Sequence, residues 1–579
     1  MEIVRKILNP LNFLFSLSVI GTLIWFHGYQ YQPHHLHPHL VYLHICFGFY
    51  LIQFVLRARM SGNYQKYFKE NNLEYILFII LVLEMVMSWL LDFSITRLLL
   101  SFTGIENHDH VFILFLHVWL LFIVGIELGK ATSRSTIWKL SPPVLFILSF
   151  VVLIIIGSSL LMLPEMSADK QGISFIDALF TSISANCVTG LIVVDTATFF
   201  SLKGKVLILL LIQLGGLNII AFATYFISFF RKSVEGHRNI TTIKELLHTD
   251  SLDSTKNMVK MVVFTTLIIE FIGTVILYHQ WDPQVGFSDN SEKLFYSMFH
   301  AISAFNNAGF TLFTDGFTNT TVQTAFYLHI TVALLIILGG LGFTTIQDTF
   351  NLFRHRFRTK LPAQSKIAWV STILLVLVGA AVFFIAENGK TLSEQDYSEA
   401  ITTSIFQSVT ARTAGFNTVS FSNLTPIVIA TTMVLMFIGA SSGSTGGGIK
   451  TSTFTVLLLA IIKRKEKAID YGKSFLTSVL VKKAVTILLY SFGVIVVGII
   501  ILIIVEPDKT FTQLCFEEIS AFGTVGLSTG ITPELSITGK SVIMASMFIG
   551  RIGPLALAYA LIRSIQVSKQ KTEQGIMIG

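Results

Sequence analysis

Cys187-Val188-Thr189-Gly190-Leu191 is the first of four related strings. The others are Asn306-Asn307-Ala308-Gly309-Phe310, Arg412-Thr413-Ala414-Gly415-Phe416 and Gly523-Thr524-Val525-Gly526-Leu527. All four share the glycine, at a period of about 110 residues, and internal symmetry of this size marks a fold built from repeated units. Each string closes a short segment of mixed polarity, near 173–187, 291–305, 397–410 and 512–522, which lies between two longer apolar runs. Such segments are too short to cross the ~30 Å hydrocarbon layer as helices, so the pattern predicts re-entrant half-helices between spans. A second register recurs further along each repeat: Leu-Gly-Gly-Leu at 214–217 and 338–341, Phe-Ile-Gly-Ala at 437–440 and Phe-Ile-Gly-Arg at 548–551.

The rest of the chain agrees with a membrane setting. Of 579 residues, 53% are hydrophobic and 13% charged, with 50 Phe and mean hydropathy +0.70, whereas soluble domains carry about 25% charged residues. This excludes a soluble enzyme, a disordered chain and a disulfide-stapled secreted domain, and the absence of alternating polar strands argues against an outer-membrane barrel. Cys46, Cys187 and Cys515 are far apart and form no CxxC pair, so no disulfide framework or zinc site is expected. Apolar runs near 10–28, 40–57, 74–91, 111–128, 141–163, 206–229, 260–280, 325–350, 367–386, 425–460, 484–505 and 540–563 predict about twelve spans. The first of these is read as retained, since it is too long for a signal sequence and lacks a small-residue cleavage site. Segments 129–140, 231–260, 351–366, 463–483 and 563–571 carry three, six, five, seven and three basic residues, whereas the four alternate segments hold eight together. The positive-inside rule then puts both termini in the cytoplasm and accounts for the +7 charge without nucleic acid.

Ser141-Pro142-Pro143 fits a helix start and divides the chain. The expected organisation is an N-terminal block, 1–140, with about four spans. Pore repeats follow at 141–255, 256–365, 366–480 and 481–579, the third carrying a gating loop and the fourth the cytoplasmic C-terminus. The fold class is therefore an all-α polytopic membrane protein with four pseudo-repeats of helix, re-entrant pore loop and helix around one ion pore.

Non-helical backbone survives at membrane depth only when buried in protein or lining a watery path. Glycine tolerates positive φ and lets carbonyls turn toward a common axis. Four such loops would replace the hydration shell of a monovalent cation with rings of carbonyl oxygens. The filter candidates are Cys187, Val188, Thr189 and Gly190; Asn306, Asn307, Ala308 and Gly309; Arg412, Thr413, Ala414 and Gly415; and Gly523, Thr524, Val525 and Gly526. The competing reading is that the glycines only allow tight helix packing.

Residues 141–563 resemble the Trk/Ktr/HKT superfamily of potassium and sodium transporters, particularly its bacterial KtrB and TrkH branch. The resemblance rests on Gln407-Ser-Val-Thr-Ala-Arg-Thr-Ala-Gly-Phe-Asn-Thr418, Gly443-Ser-Thr-Gly-Gly-Gly-Ile-Lys-Thr451 and Phe548-Ile-Gly-Arg-Ile-Gly-Pro554. It implies one pore per subunit, a homodimer, a cytoplasmic nucleotide-binding regulatory ring of the KtrA/TrkA type and a place in the cytoplasmic (inner) membrane. Plant relatives with serine at the first filter position are sodium-selective, so glycine at all four positions favours K⁺ over Na⁺ as the transported ion. The first 130 residues depart from the pattern, because TrkH-like members carry one extra helix pair and this chain about four extra spans.

Residues 439–448 interrupt the second span of repeat three with five glycines and no large side chain. Each interior glycine costs a helix up to about 1 kcal/mol, so the stretch is expected to be a polar intramembrane loop, and the resemblance makes it the gate. The gate candidates are Gly439, Ser441, Gly443, Ser444, Gly446, Gly447, Gly448, Lys450 and Arg551. Arg551 falls near mid-membrane, where charge is costly and usually functional, and is expected to donate to carbonyls of the loop. Lys450 is expected either to snorkel to the surface or to act in gating. Asp195, Asp282, Asp315, Glu517 and Glu518 are expected on the outside, concentrating cations at the mouth or forming a solvated face.

His34, His35, His37 and His39 share one side with His108 and His110. Imidazoles at this spacing suit Zn²⁺, Cu²⁺ or Ni²⁺, although histidines in a Pro-broken loop are more often a solvated surface. The function expected is potassium uptake without covalent chemistry. The alternatives are a sodium-permeable or sodium-coupled member of the same fold, or a metal- or proton-sensing membrane receptor.

Overall fold

The computed structural model describes residues 2–29, 36–60, 142–217, 252–356, 360–462 and 478–553, with scattered positions between 65 and 124 and at 470–475. The chain divides into two units: 1–139 with 229–235, and the remainder.

In the first unit, α1 (Glu2–Gly28) and α2 (Leu36–Met60) form an antiparallel pair. Ser16 Oγ lies 2.8 Å from Tyr50 Oη, and near the opposite end Phe26 stacks on His39 at 4.1 Å. Val19, Leu23, Cys46, Phe47 and Phe54 fill the seam. α2 starts two residues before Pro38, which fits the first turn because a missing N–H costs nothing there. His37 and His39 therefore belong to a helix rather than to the loop expected for them. The expected spans near 74–91 and 111–128 lie largely outside the described residues, as do His34, His35, His108 and His110.

In the second unit the four repeats are explicit. Their first spans are α3 (Pro142–Leu161), α6 (Leu252–Gln280), α10 (Ala363–Glu387) and α14 (Ser478–Val505). Their short helices are α4 (Phe175–Asn186), α7 (Asn290–Phe305), α11 (Tyr397–Thr410) and α15 (Phe511–Gly523). Polar caps begin each short helix: Ser174 accepts from Asp177 N, Asp289 from Glu292 N, and Asp396/Glu399 and Thr510/Gln513 form reciprocal capping boxes.

The second spans are α5 (Leu202–Gly216), α8 (Phe326–Leu341) continued by α9 (Phe343–Arg354), α12 (Pro426–Phe437) with α13 (Thr451–Ile462), and α16 (Ile537–Ile552). One of them corrects the expectation of an uninterrupted span: the run 325–350 bends by 104° between α8 and α9, at Gly342 with φ +89. The run 425–460 is two helices joined by the glycine-rich segment, at the interruption expected for 439–448. Among the described residues, four helices are long and apolar enough to cross a membrane alone, and the bent pair is a fifth. A two-residue antiparallel pairing, Asp470–Tyr471 with Ser474–Phe475, is a minor departure from all-α.

First and second spans are latched at one end. Glu387 accepts from Thr425 N at 2.8 Å and Thr425 Oγ1 at 2.7 Å, and Glu506 from Ser536 N at 2.8 Å. In repeat one Ser201 N donates to Met166 O at 2.9 Å. Thr425, Ser536 and Ser201 are the N-caps of α12, α16 and α5. A glutamate thus holds the N-cap of the second span in repeats three and four, and a main-chain carbonyl does so in repeat one.

Second spans also approach the short helices too closely for a side chain. A Cβ on Gly215, Gly339 or Gly550 would overlap the carbonyl oxygen of Asn186, Phe305 or Phe522, respectively. Gly339→Ala is therefore expected to lower the thermal midpoint in detergent, by a cost of about 1–3 kcal/mol for forced repacking. Gly493→Ala, in α14 with nothing within 4 Å of a built Cβ, is expected to hold or raise it, since alanine favours the helix by up to about 1 kcal/mol. Equal midpoints for the two variants would refute the close approach.

Candidate functional site

Each short helix ends where its glycine string begins. Val188, Asn307, Thr413 and Thr524 have φ of +57, +60, +71 and +50, and Gly190, Gly309, Gly415 and Gly526 have φ of +89, +71, +82 and +92. Two left-handed residues, two apart, thus recur at the same place in all four repeats. The first is not glycine in any repeat, and such a conformation costs an L-residue about 1–2 kcal/mol, so surrounding contacts impose it.

The four strings close on one another. A Cβ on Gly190 would collide with Ala308 O, one on Gly309 would lie 2.6 Å from Ala414 O, one on Gly415 would strike Val525 O, and one on Gly526 would strike Thr189 O. Each glycine faces the carbonyl just before the glycine of the next repeat, and the fourth returns to the first. Thr189, Ala308, Ala414 and Val525 thus contribute a ring of four carbonyl oxygens, one from each repeat. The C-terminal ends of α4, α7, α11 and α15 abut these strings, and their partial negative charges favour a cation there.

The backbone N–H groups are drawn away from the ring. Thr189 N donates to Ser184 O at 2.8 Å, Ala308 N to Ser303 O at 2.7 Å, Val525 N to Ser520 O at 2.9 Å and Ala414 N to Thr410 O at 3.0 Å. Ser184 Oγ accepts from Gly190 N at 3.1 Å and donates to Leu191 O at 2.7 Å; Ser520 Oγ accepts from Gly526 N at 3.1 Å; Ser303 Oγ donates to Phe310 O at 2.8 Å. These serines were not singled out in the sequence, yet their signal is present: each stands three residues before its string, with Val409 in the third repeat. Asn306 is braced from behind by Glu270 Oε1 at 2.8 Å and Gln213 Oε1 at 3.1 Å, and Gln213 Nε2 donates to Glu270 Oε2 at 3.1 Å. Cys187 and Arg412 are buried.

Beneath the ring lies 439–448. Gly439 N donates to Ile449 O at 2.9 Å and Ile449 N to Phe437 O at 3.3 Å, so the segment leaves and returns as a closed loop. Its tip presses on the strings. Cβ atoms on Gly446 and Gly447 would collide with Thr413 Oγ1 and Thr524 Oγ1, and Thr445 Oγ1 donates to Phe305 O at 3.2 Å. Repeat two holds its flank through Ser441 N to Gly340 O at 2.9 Å and Thr445 N to Gly339 O at 3.2 Å. Ser441 and Ser442 pair with Thr451 at 3.1 Å and Ser452 at 2.7 Å, and Lys450 Nζ donates to Gly446 O at 2.6 Å. Gly443 and Gly448 adopt positive φ, and Ser444 is buried.

Arg551 joins three repeats. Its Nη1 donates to Thr445 O in the loop, and its Nη2 to Gly215 O at 2.6 Å in repeat one. A planar guanidinium spans two carbonyls in a way that a point ammonium does not.

A family model described as cation transport protein, TrkH, matches residues 112–574. The chain belongs to the TrkH cation transport family. The Ktr system potassium uptake protein B of Bacillus subtilis is 39% identical over 74% of this chain and 94% of its own length. The potassium/sodium uptake protein NtpJ of Enterococcus hirae is 36% identical over 76% and 98%. The crystal structure of the potassium transporter TrkH from Vibrio parahaemolyticus shares the fold at TM-score 0.60 and 19% identity, covering 84% of this chain and 97% of that one. Membership in the TrkH family makes this a transport protein, the class expected over an enzyme.

Two outer residues need correction. Glu517 and Glu518 lie buried on α15 rather than at the mouth. Glu517 accepts from Ser528, Thr529 and Thr532, and Glu518 from Ser546. A half-helix that dips inward carries its carboxylates in with it. Asp195 and Asp282 cap short turns, and Asp315 is exposed. Among the described residues no group of three His, Cys, Asp or Glu could hold a metal ion.

Ser184→Ala is expected to leave the Gly190 N–H and Leu191 carbonyl unsatisfied, costing about 1–3 kcal/mol, with a lower thermal midpoint. Addition of K⁺ is expected to restore less of the midpoint than in the parent protein. An unchanged K⁺-dependent shift would show that the serine does not support the ring.

Proposed function

We propose that this chain takes up potassium through the ring of Thr189, Ala308, Ala414 and Val525 carbonyls, with 439–448 as the gate beneath it. The observation that carries this reading is the closure of the four strings in chain order. Carbonyl oxygens held by backbone bonds replace part of an ion's hydration shell without needing a charged ligand. The Thr189 and Thr524 hydroxyls are buried without a protein partner, and that of Thr524 lies against Gly447 of the loop.

Arg551 holds the gate in two ways in this reading. Its charge opposes a cation beside the loop, and its two hydrogen bonds tie Thr445 to Gly215. Lys450, bonded to the loop's own Gly446 carbonyl, adds a second positive charge. A cytoplasmic nucleotide-binding ring would act by pulling 439–448 away from the strings. The subunit works as a homodimer in the cytoplasmic membrane, with both termini inside. The relatives named for potassium uptake support the choice of ion, and the relative named for potassium and sodium makes Na⁺ the competitor to test.

Uptake of ⁸⁶Rb⁺ into liposomes holding the purified protein tests this directly. Competition by K⁺ is expected to exceed that by Na⁺. Gly190→Ser is expected to lose that preference, because its Cβ would enter the Ala308 carbonyl position. Arg551→Ala is expected to raise uptake at least tenfold, since a hydrogen bond from a charged group contributes about 1.5–3 kcal/mol to the closed arrangement. Absence of flux in both the parent and Arg551→Ala would reject the transport reading.

A further inference from the structure

The bend at Gly342 leaves α9 with an arrangement opposite to that of a helix on a soluble protein. Three of its polar groups face the protein, while Gln347 is exposed: Asp348 Oδ2 accepts from Ser365 Oγ at 2.5 Å, Thr349 Oγ1 accepts from Trp369 Nε1 at 3.0 Å, and Thr345 is buried. Its aromatic side faces outward, with Phe350 64% and Phe353 61% exposed. Arg354 and Arg356, also exposed, close its end, and Lys360 follows.

Depth follows from length. At 1.5 Å per residue the 16-residue α8 spans about 24 Å, so a helix entering at one face stops about 6 Å short of the other side of a ~30 Å hydrocarbon layer. The 104° turn then lays α9 across the spanning direction. Helices that rest on a bilayer bury their apolar side about 5–10 Å deep at the headgroup boundary, which is where Phe350 would lie. The arginines at its end meet the headgroups, and the leaflet on the basic-loop side is the anionic one.

α9 is also tied to the gating segment. Phe343 N, at its first residue, donates to Gly443 O at 3.1 Å, and a Cβ on Gly342 would lie 2.7 Å from Ser442 O. Any displacement of α9 against the bilayer therefore bears on Ser442 and Gly443.

We propose that α9 docks on anionic lipid of the cytoplasmic leaflet through Phe350, Phe353, Arg354 and Arg356, and that the Phe343–Gly443 hydrogen bond makes the gating segment responsive to that docking. The docking stands on the geometry of α9 alone, whereas its effect on flux rests on the transport reading above.

The three cysteines are buried, so a nitroxide attached to full-length Phe350→Cys or Phe353→Cys reports on α9. Depth is read from relaxation by oxygen against a water-soluble nickel chelate, in vesicles of phosphatidylcholine and of equal parts phosphatidylcholine and phosphatidylglycerol. A label at exposed Glu394 (Glu394→Cys) gives the water reference. The α9 labels are expected to favour oxygen and to sit deeper with phosphatidylglycerol. In the same vesicles ⁸⁶Rb⁺ influx is expected to change with phosphatidylglycerol. Arg354→Gln with Arg356→Gln is expected to weaken that response by on the order of fivefold per arginine, with flux in pure phosphatidylcholine unchanged.

Nickel access at both α9 labels equal to that at the Glu394→Cys label, in both vesicle types, would overturn the docking and leave α9 as a protein-contacting surface. Deep labels with a lipid response that survives loss of both arginines would overturn the anionic specificity. Deep labels without flux in any vesicle would uphold docking and count against the transport reading instead.

Discussion

Everything in the second unit is arranged around the contact of one glycine with the next repeat's carbonyl. Four such contacts close a ring only when all four strings hold the same pair of left-handed residues. Each string is therefore locked by its neighbour, and the strain at Val188, Asn307, Thr413 and Thr524 is sustained by the other three repeats. Strained backbone persists where surroundings over-determine it. Here these are the short helix on one side, through Ser184, Ser303 and Ser520, and the second span on the other, through Gly215, Gly339 and Gly550. Side chains at those glycines would push the spans outward and open the ring.

The amino-acid pattern made the short helices legible to within two residues at either end: 291–305 is observed as Asn290–Phe305, 397–410 as Tyr397–Thr410 and 512–522 as Phe511–Gly523. Caps at one end and glycine strings at the other are local signals. The five glycines of 439–448 did mark the break of 425–460 into two helices, whereas hydropathy does not register a change of direction, so it did not show the bend at Gly342. Nor did it show that Glu517 and Glu518 are carried inward, because their partners Ser528, Thr529, Thr532 and Ser546 come from the strand of chain returning past α15. The brace of Asn306 by Gln213 and Glu270 joins residues 93 and 36 positions apart, beyond the reach of any local period.

Polar atoms at membrane depth must find partners inside the protein, since lipid offers none. The segment 439–448 meets that demand in two ways. Part of its backbone is satisfied by repeat two and by its own return, as in the bonds to Gly339, Gly340 and Ile449. The Thr445 carbonyl is satisfied by a charged donor from repeat four. The first kind of bond exchanges readily for an equivalent one when a loop shifts. The second cannot move without uncovering a guanidinium, which makes Arg551 the step on which displacement of the loop depends.

The third repeat departs from the others at one level only. Its string keeps the ring geometry, with Thr413 and Gly415 in register, but where repeats one, two and four bring a second-span glycine against a short-helix carbonyl, Gly439 instead meets Gly447. Equivalent loops in all four repeats could not occupy the same axial space, because each would fill the volume the others need beneath a single ring. In the proposed reading, one loop is enough to block a path one ion wide. Confining it to one repeat would leave the other three second spans free to hold the ring rigid while it moves. On that proposal the fold keeps four-fold regularity where selection requires equivalent oxygens and gives it up where gating requires a single moving part.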